Sequence, residues 1–193
     1  MCGIAGIFDP SGTTPPEKNS LEQMIRTLAH RGPDGFGFYV DGRAGLAHAR
    51  LSIIDLAGGA QPIHNEDKGI WVVLNGEIFN YIELRAALEK DGHTFYTRSD
   101  TEVIVHLYEQ YGCDFVRRLN GQFAMALWDM KQQRLLLVRD RVGIRPLFYT
   151  RADGRLLFAS EIKALLTCAS VRRRLNPRAL GEVFTFWSTV DSD

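Results

Sequence analysis

The chain has 193 residues, 45% of them hydrophobic and 24% charged, enough apolar side chain to bury the core of one globular domain. Its 23 lysines and arginines balance 23 aspartates and glutamates, so no global field would draw nucleic acid or an anionic membrane, and partners must be recognised locally. The longest apolar runs, such as the six residues Phe123 to Trp128, fall far short of the roughly 18 a spanning helix needs. Cys2 to Phe8 reads as a strand; broken by Asp9 and Pro10 and without a basic flank, it is not a signal peptide. A soluble, cytoplasmic protein is expected. Leu21, Met24, Ile25 and Leu28 then recur at helical spacing up to His30. Short β segments follow at Phe36 to Val40 and Leu46 to Ile54, parted by Asp41-Gly42, and at Ile70 to Leu74, which closes in Asn75-Gly76, the strongest two-residue hairpin signal. Tyr81 to Lys90 and Thr101 to Tyr111 read as two helices, each stopped by a glycine. Strands return at Gln122 to Trp128, Arg134 to Val138, Leu147 to Tyr149 and Arg155 to Ala159, with turns at Lys131-Gln132 and Asp153-Gly154, and Glu161 to Leu166 is a short helix. Blocks of strands around a helical block predict an α+β fold with packed sheets and helices outside. Val171 to Asp193 holds three consecutive arginines, Pro177 and aromatics with no evident burial partners.

Three cysteines without CxxC spacing argue against a disulfide framework and against a zinc site, leaving at most a lone nucleophile. Cys2 follows the initiator methionine directly. Removal of Met1 would place a thiol and a free α-amine on one residue, and an amine with a reference pKa of about 7.7–8.0 can accept the thiol proton near neutral pH. That is the N-terminal-nucleophile arrangement; position alone favours the other reading, Cys2 as a small hydrophobe in an edge strand.

Seven segments in order decide between these readings. MCGIAGIF at the start, HRGPDGFG at His30 to Gly37, LAHARLSIIDL at Leu46 to Leu56, GAQP at Gly59 to Pro62, NGEIFNY at Asn75 to Tyr81, RSDTEVI at Arg98 to Ile104 and RDRVGIRPLFY at Arg139 to Tyr149 together resemble the class II glutamine amidotransferase domain. Within that family the resemblance is to the glutaminase half of glutamine-hydrolysing asparagine synthetases, and it runs from Cys2 to about Leu166. It implies a four-layer αββα sandwich of two antiparallel sheets, the N-terminal-nucleophile hydrolase fold. It also implies release of ammonia from L-glutamine for a partner domain.

By resemblance, Cys2 is the nucleophile, and the Asn75 side-chain amide and Gly76 N–H form the oxyanion hole. Arg50 holds the substrate α-carboxylate, bidentately as a guanidinium can; outside the motif it would read as a surface-paired arginine. The backbone of Leu51 to Ile54, with Leu51, Ile53 and Ile54 among the substrate-lining residues, adds hydrogen bonds while its side chains are expected in the core. Asp100 and, beside it, Glu77 meet the α-ammonium. Asp100 also reads as part of a helix start, with Ser99 at the N-cap and Glu102 closing a capping box. HRGPDG is expected to support the pocket with no catalytic role for His30, and Arg139 to Tyr149 to buttress the site or face a partner domain. No metal or organic cofactor is implied here. The resemblance places the glutaminase domain over residues 1–170 and the start of a linker over 171–193. That linker would lead into a synthetase domain using ATP and Mg²⁺, whose SGGxDS loop this sequence lacks. A homodimer stays open. The alternatives are a glutaminase domain serving another acceptor and a non-catalytic regulatory domain of the same fold.

Overall fold

The computed structural model describes residues 1–56 and 58–188. Its elements in chain order are strand β1 (Gly3–Phe8), helix α1 (Lys18–Arg26), strands β2 (Gly35–Val40), β3 (Ala44–Arg50), β4 (Ile63–His64) and β5 (Ile70–Ile78), and helices α2 (Tyr81–Lys90) and α3 (Glu102–Tyr111). A 3-10 turn over Gly112–Arg118 leads into β6 (Gly121–Asp129), β7 (Arg134–Arg139), β8 (Phe148–Ala152), β9 (Arg155–Ala159), α4 (Ile162–Leu165) and α5 (Pro177–Phe186). The strands form two sheets, ordered β2-β3-β1-β9-β8 and β4-β5-β6-β7, and every pairing is antiparallel.

Side-chain alternation sorts the residues of each strand between two faces. From β1, Ala5 and Ile7 pack with Leu21, Met24, Ile25 and Leu28 of the α1 region and with Leu165 of α4. Ile4 faces the other way, into a layer with Leu46, Val73, Ala126, Trp128 and Phe158 drawn from both sheets. On β5 and β6, Val72, Leu74, Met125 and Leu127 turn outward onto Val103, Ile104 and Leu107 of α3. Helix on sheet on sheet on helix is the expected αββα sandwich, and both inner faces are apolar because each sheet is covered twice.

The apolar spacing of α1 covers one buried stripe, Leu21, Met24 and Ile25, as the sequence predicts. The turn at Asp153-Gly154 forms as read, both residues at positive φ (49° and 74°) between the paired Ala152 and Arg155. Asn75-Gly76 does not form its predicted hairpin. Both residues lie inside β5, opposite Ala124 and Phe123 of β6, because the strand continues through Glu77 and Ile78 and its pairing outweighs the local turn preference. The predicted strand Leu46 to Ile54 ends at Arg50. Beyond it the side chains of Leu51 to Ile54 are not core: Ile53 is 60% exposed, since the chain leaves the sheet to wrap the Arg50 guanidinium. The capping box is also replaced. Ser99 Oγ accepts from Thr101 N at 3.2 Å, but the Glu102 carboxylate reaches past Ser99 to the amides of Tyr96 (2.8 Å) and Thr97 (2.7 Å). No residue of α5 is buried, and Trp187 is 93% exposed. Residues 189–193 of the expected linker lie outside the described residues.

Candidate active site

Cys2 extends the β1 alternation one step beyond Gly3, so it shares the inter-sheet side with Ile4. On β3 the parity of Leu46 carries His48 and Arg50 to the same side, and on β5 the parity of Val73 carries Asn75 there. Since Gly3 pairs with Ala49, the start of β1 and the end of β3 meet at one end of the sandwich. A cavity of about 60 Å³ opens at that end, and Cys2, Arg50, Leu51, Ile53, Ile54, Asn75, Gly76, Glu77 and Asp100 all line it. Thus the nine residues singled out in the sequence come together.

The Cys2 thiol sits against the Leu51 peptide, Sγ 3.4 Å from its N and 3.6 Å from its O. Burial pushes the thiol pKa up, opposed by the Leu51 amide and the Arg50 charge, so the sulfur is held as a thiol, which would need a base to act as a nucleophile. Arg31 fixes the backbone of Cys2, its Nε donating to the Cys2 carbonyl at 2.9 Å while Nη1 meets Glu161 at 3.0 Å. His30 also pairs with Glu161, at 3.0 Å. The HRGPDG loop therefore braces Cys2, and Gly32 is required there because a Cβ would overlap the Ala49 carbonyl.

Asn75 is fully buried, and neither its Nδ2 nor its Oδ1 has a hydrogen-bond partner among the described residues. Leaving a buried amide unsatisfied costs about 1–3 kcal/mol, and such an orphan at a cavity wall suits a group that arrives from outside. Gly76 adds a second donor. Phe123, facing it, spends both its N–H and its C=O on Asp140 (3.2 and 2.8 Å), so Gly76 points its N–H to the opposite edge of β5. Leu74 and Ile78 share that direction, and their amides are taken by Gln61 Oε1 at 2.6 Å and Asp100 Oδ2 at 2.9 Å. Between those two filled amides the Gly76 N–H faces the cavity.

Opposite charges stand apart across this space. Arg50 is gripped by the Asp55 and Leu56 carbonyls at 2.6 and 3.3 Å. Among the described residues it has no carboxylate within ion-pair reach. Asp100 is buried and likewise has no cationic partner among the described residues; burial, with the nearby Glu77 charge, pushes its pKa up. The cavity thus offers a cation for a carboxylate and an acidic wall for an ammonium group.

Three further lining residues lie in the resembling segments but were given no role from the sequence. His48 is buried, its Nε2 3.2 Å from the Leu74 carbonyl, and burial with the Arg50 charge pushes its pKa down to about 3, so it stays neutral. Gln61 clamps β5 to the start of α3, its Nε2 donating to Thr101 Oγ1 at 3.2 Å. Arg145 reaches the Met1 sulfur and lines the cavity. It comes from a loop tied to Asp140 through the amides of Ile144 and Arg145 (2.9 and 3.1 Å), the buttress expected of the 139–149 segment.

The family model of the glutamine amidotransferase domain matches residues 1–193. The chain belongs to that family. This amidotransferase domain is 46% identical over 187 residues to asparagine synthetase [glutamine-hydrolyzing] 2 of Bacillus subtilis (strain 168), covering 95% of this chain and 25% of the relative. It is 43% identical over 168 residues to asparagine synthetase [glutamine-hydrolyzing] 1 of the same organism, covering 86% of this chain and 27% of the relative. The amidotransferase domain therefore spans about a quarter of the length of these curated relatives. Its fold is that of the glutamine phosphoribosylpyrophosphate amidotransferase from B. subtilis, at a TM-score of 0.68 and 24% identity, covering 85% of this chain and 43% of that one. It also matches a structure of the allosteric regulatory enzyme of purine biosynthesis, at a TM-score of 0.72 and 23% identity, covering 90% of this chain and 44% of that one. At these identities the two structures speak to the fold alone.

Proposed function

We propose that this amidotransferase domain hydrolyses L-glutamine to glutamate and ammonia at Cys2. The supporting observation is the meeting, around one cavity, of a thiol, an orphaned amide beside a cavity-facing peptide N–H, an arginine free of carboxylates and a buried aspartate. In this reading Arg50 takes the glutamine α-carboxylate, and Asp100 with Glu77 takes the α-ammonium. Cys2 Sγ attacks the side-chain amide carbon as its proton passes to the Cys2 α-amine. The oxyanion forms against Asn75 Nδ2 and Gly76 N. The C–N bond breaks, the amine returns the proton to the departing ammonia, and water then cleaves the γ-glutamyl thioester. No step passes through a metal.

Met1 stands in the way twice. While it is attached the nitrogen of Cys2 is a peptide and cannot act as a base. Met1 also lines the cavity, whose volume of about 60 Å³ suffices for roughly four waters rather than an amino acid. Trimming Met1 frees the amine and widens the space together.

The test compares glutamate release by the trimmed chain, verified by intact mass, by its Cys2→Ala variant, and by a chain whose N-terminus is blocked from trimming. Only the trimmed chain with Cys2 should turn over. Turnover by the Cys2→Ala variant would remove the nucleophile from the account; turnover by the blocked chain would remove the base. We further infer that the parent protein is an asparagine synthetase, in which residues 1–170 form the glutaminase domain and 171 onward lead to a domain that uses ATP and Mg²⁺. The identity to asparagine synthetases supports this, and sequencing the gene past codon 193 tests it.

A further inference from the structure

We propose that Glu66, His93, His106 and Glu109 form a divalent-metal site, suited to zinc, that pins α3 to the loop after β4 and the loop after α2. The cluster lies away from the Cys2 cavity, and one ligand atom from each residue falls within 4.8 Å of all the others. His106 Nδ1 is 3.2 Å from Glu109 Oε2 and 3.3 Å from Glu66 Oε2, and His93 Nδ1 is 3.6 Å from Glu109 Oε2 and 3.6 Å from Glu66 Oε1. Four donors at zinc bond lengths of about 2.0–2.2 Å sit at the corners of a tetrahedron with edges of roughly 3.3–3.6 Å. Two imidazoles and two carboxylates are also a donor set zinc accepts.

The outer contacts are those of a set ligand shell. His106 and Glu109 stand three apart on α3, hence on one face. Behind His106, which is wholly buried, Nε2 faces the Glu102 carboxylate at 3.6 Å, leaving Nδ1 to the cluster. Glu109 Oε1 accepts from the Asn65 amide at 2.7 Å and leaves Oε2 to both rings, while Glu66 Oε1 accepts from the Thr94 N–H at 3.0 Å and also faces His93, with Oε2 turned to His106. Such outer partners fix the ring and carboxylate orientations of metal ligands. Simple ion pairing explains less: two rings aim the same nitrogen at the same two carboxylates, where one shared cation satisfies all four groups at once. The structural consequence reaches the other site, because Glu102, which backs His106, opens α3 one residue after the cavity-lining Asp100 and Thr101.

The test is made in the Cys2→Ala background, so that the pocket thiol cannot bind metal. Metal-stripped protein is titrated with Zn²⁺ by calorimetry, and separately with Co²⁺ while visible absorption is recorded. One Zn²⁺ per chain is expected, with the d–d bands of a tetrahedral nitrogen/oxygen Co²⁺ site and no thiolate charge-transfer band. Asn65→Ala, an outer change, should weaken binding about 10–100-fold, and His93→Ala or Glu109→Gln should weaken it more. The Co²⁺ spectrum of the parent needs no ligand variant to fold. Absence of stoichiometric binding, an octahedral or thiolate Co²⁺ spectrum, or undiminished affinity in folded His93→Ala and Glu109→Gln variants would overturn the site.

Discussion

In the proposed reaction, Asn75 and Arg50 matter for the groups they leave open to the cavity. Asn75 is buried with both amide atoms unmatched, so Asn75→Ala removes a donor that nothing in the folded protein uses. It should lower kcat for glutamine hydrolysis by roughly 10²–10³-fold and leave the thermal midpoint unchanged or raised; a kcat within a factor of two of the parent would take Asn75 out of the oxyanion hole. Arg50→Lys keeps the charge and loses the planar fork held by the Asp55 and Leu56 carbonyls. KM for glutamine should rise about tenfold or more with a smaller change in kcat, as steady-state kinetics will show. These residues were legible in the sequence because each sits in a segment that resembles one family. His48, Gln61 and Arg145 lie in the same resembling segments but are given no role there, and an interior strand histidine, a loop glutamine and one arginine among several have no chemistry that singles them out. Only the tertiary contacts bring them to the cavity.

At the scale of elements, two similar dipeptides had different fates. Asp153-Gly154 turns, and Asn75-Gly76 runs straight through β5. In the second case glycine is required by packing, since φ is +155° and a Cβ would overlap the Gln122 carbonyl across the sheet. Gly76→Ala should therefore destabilise the β5–β6 pairing by about 1–3 kcal/mol, read as a lower urea midpoint; unchanged stability would show that the strand relaxes around the added methyl. The same dependence on distant partners explains why the capping box was misread. Ser99 and Glu102 have the right spacing, yet the Glu102 carboxylate finds the amides of Tyr96 and Thr97 in the preceding loop and is already spent. β4, two residues long, has too little sequence to carry a periodicity.

For the molecule as a whole, buried apolar layers lie on both sides of each sheet, and in the one between the sheets Trp128 is fully buried and its Nε1 donates to Asp41 at 2.6 Å. Trp128→Ala should cost about 3–5 kcal/mol, enough to abolish the cooperative unfolding transition or shift it to much lower denaturant. Acid should weaken the fold in a defined window. With its pKa pushed from 6.5 to about 3 mainly by burial, His48 refuses a proton that the unfolded chain accepts, so its contribution to stability is full above roughly pH 6.5 and falls as pH drops toward 3. Glu161, held down to about 2 by Arg31, Lys163 and His30 despite partial burial, adds stability above its unfolded value that is lost as pH falls through 2. Urea midpoints from pH 7 to 4 should decline steadily; a flat profile would contradict a neutral buried His48.

The sequence by itself determined the layered α+β architecture, the helices and most strands, and the list of residues around Cys2, because local periodicity and ordered motifs are properties of neighbouring residues. Tertiary structure alone decided that Asn75-Gly76 is strand, that Leu51 to Ile54 leave the core, and that Glu66, His93, His106 and Glu109 converge. Each of those outcomes depends on atoms brought together from chain segments far apart, and no local pattern specifies which groups a fold will leave facing one another.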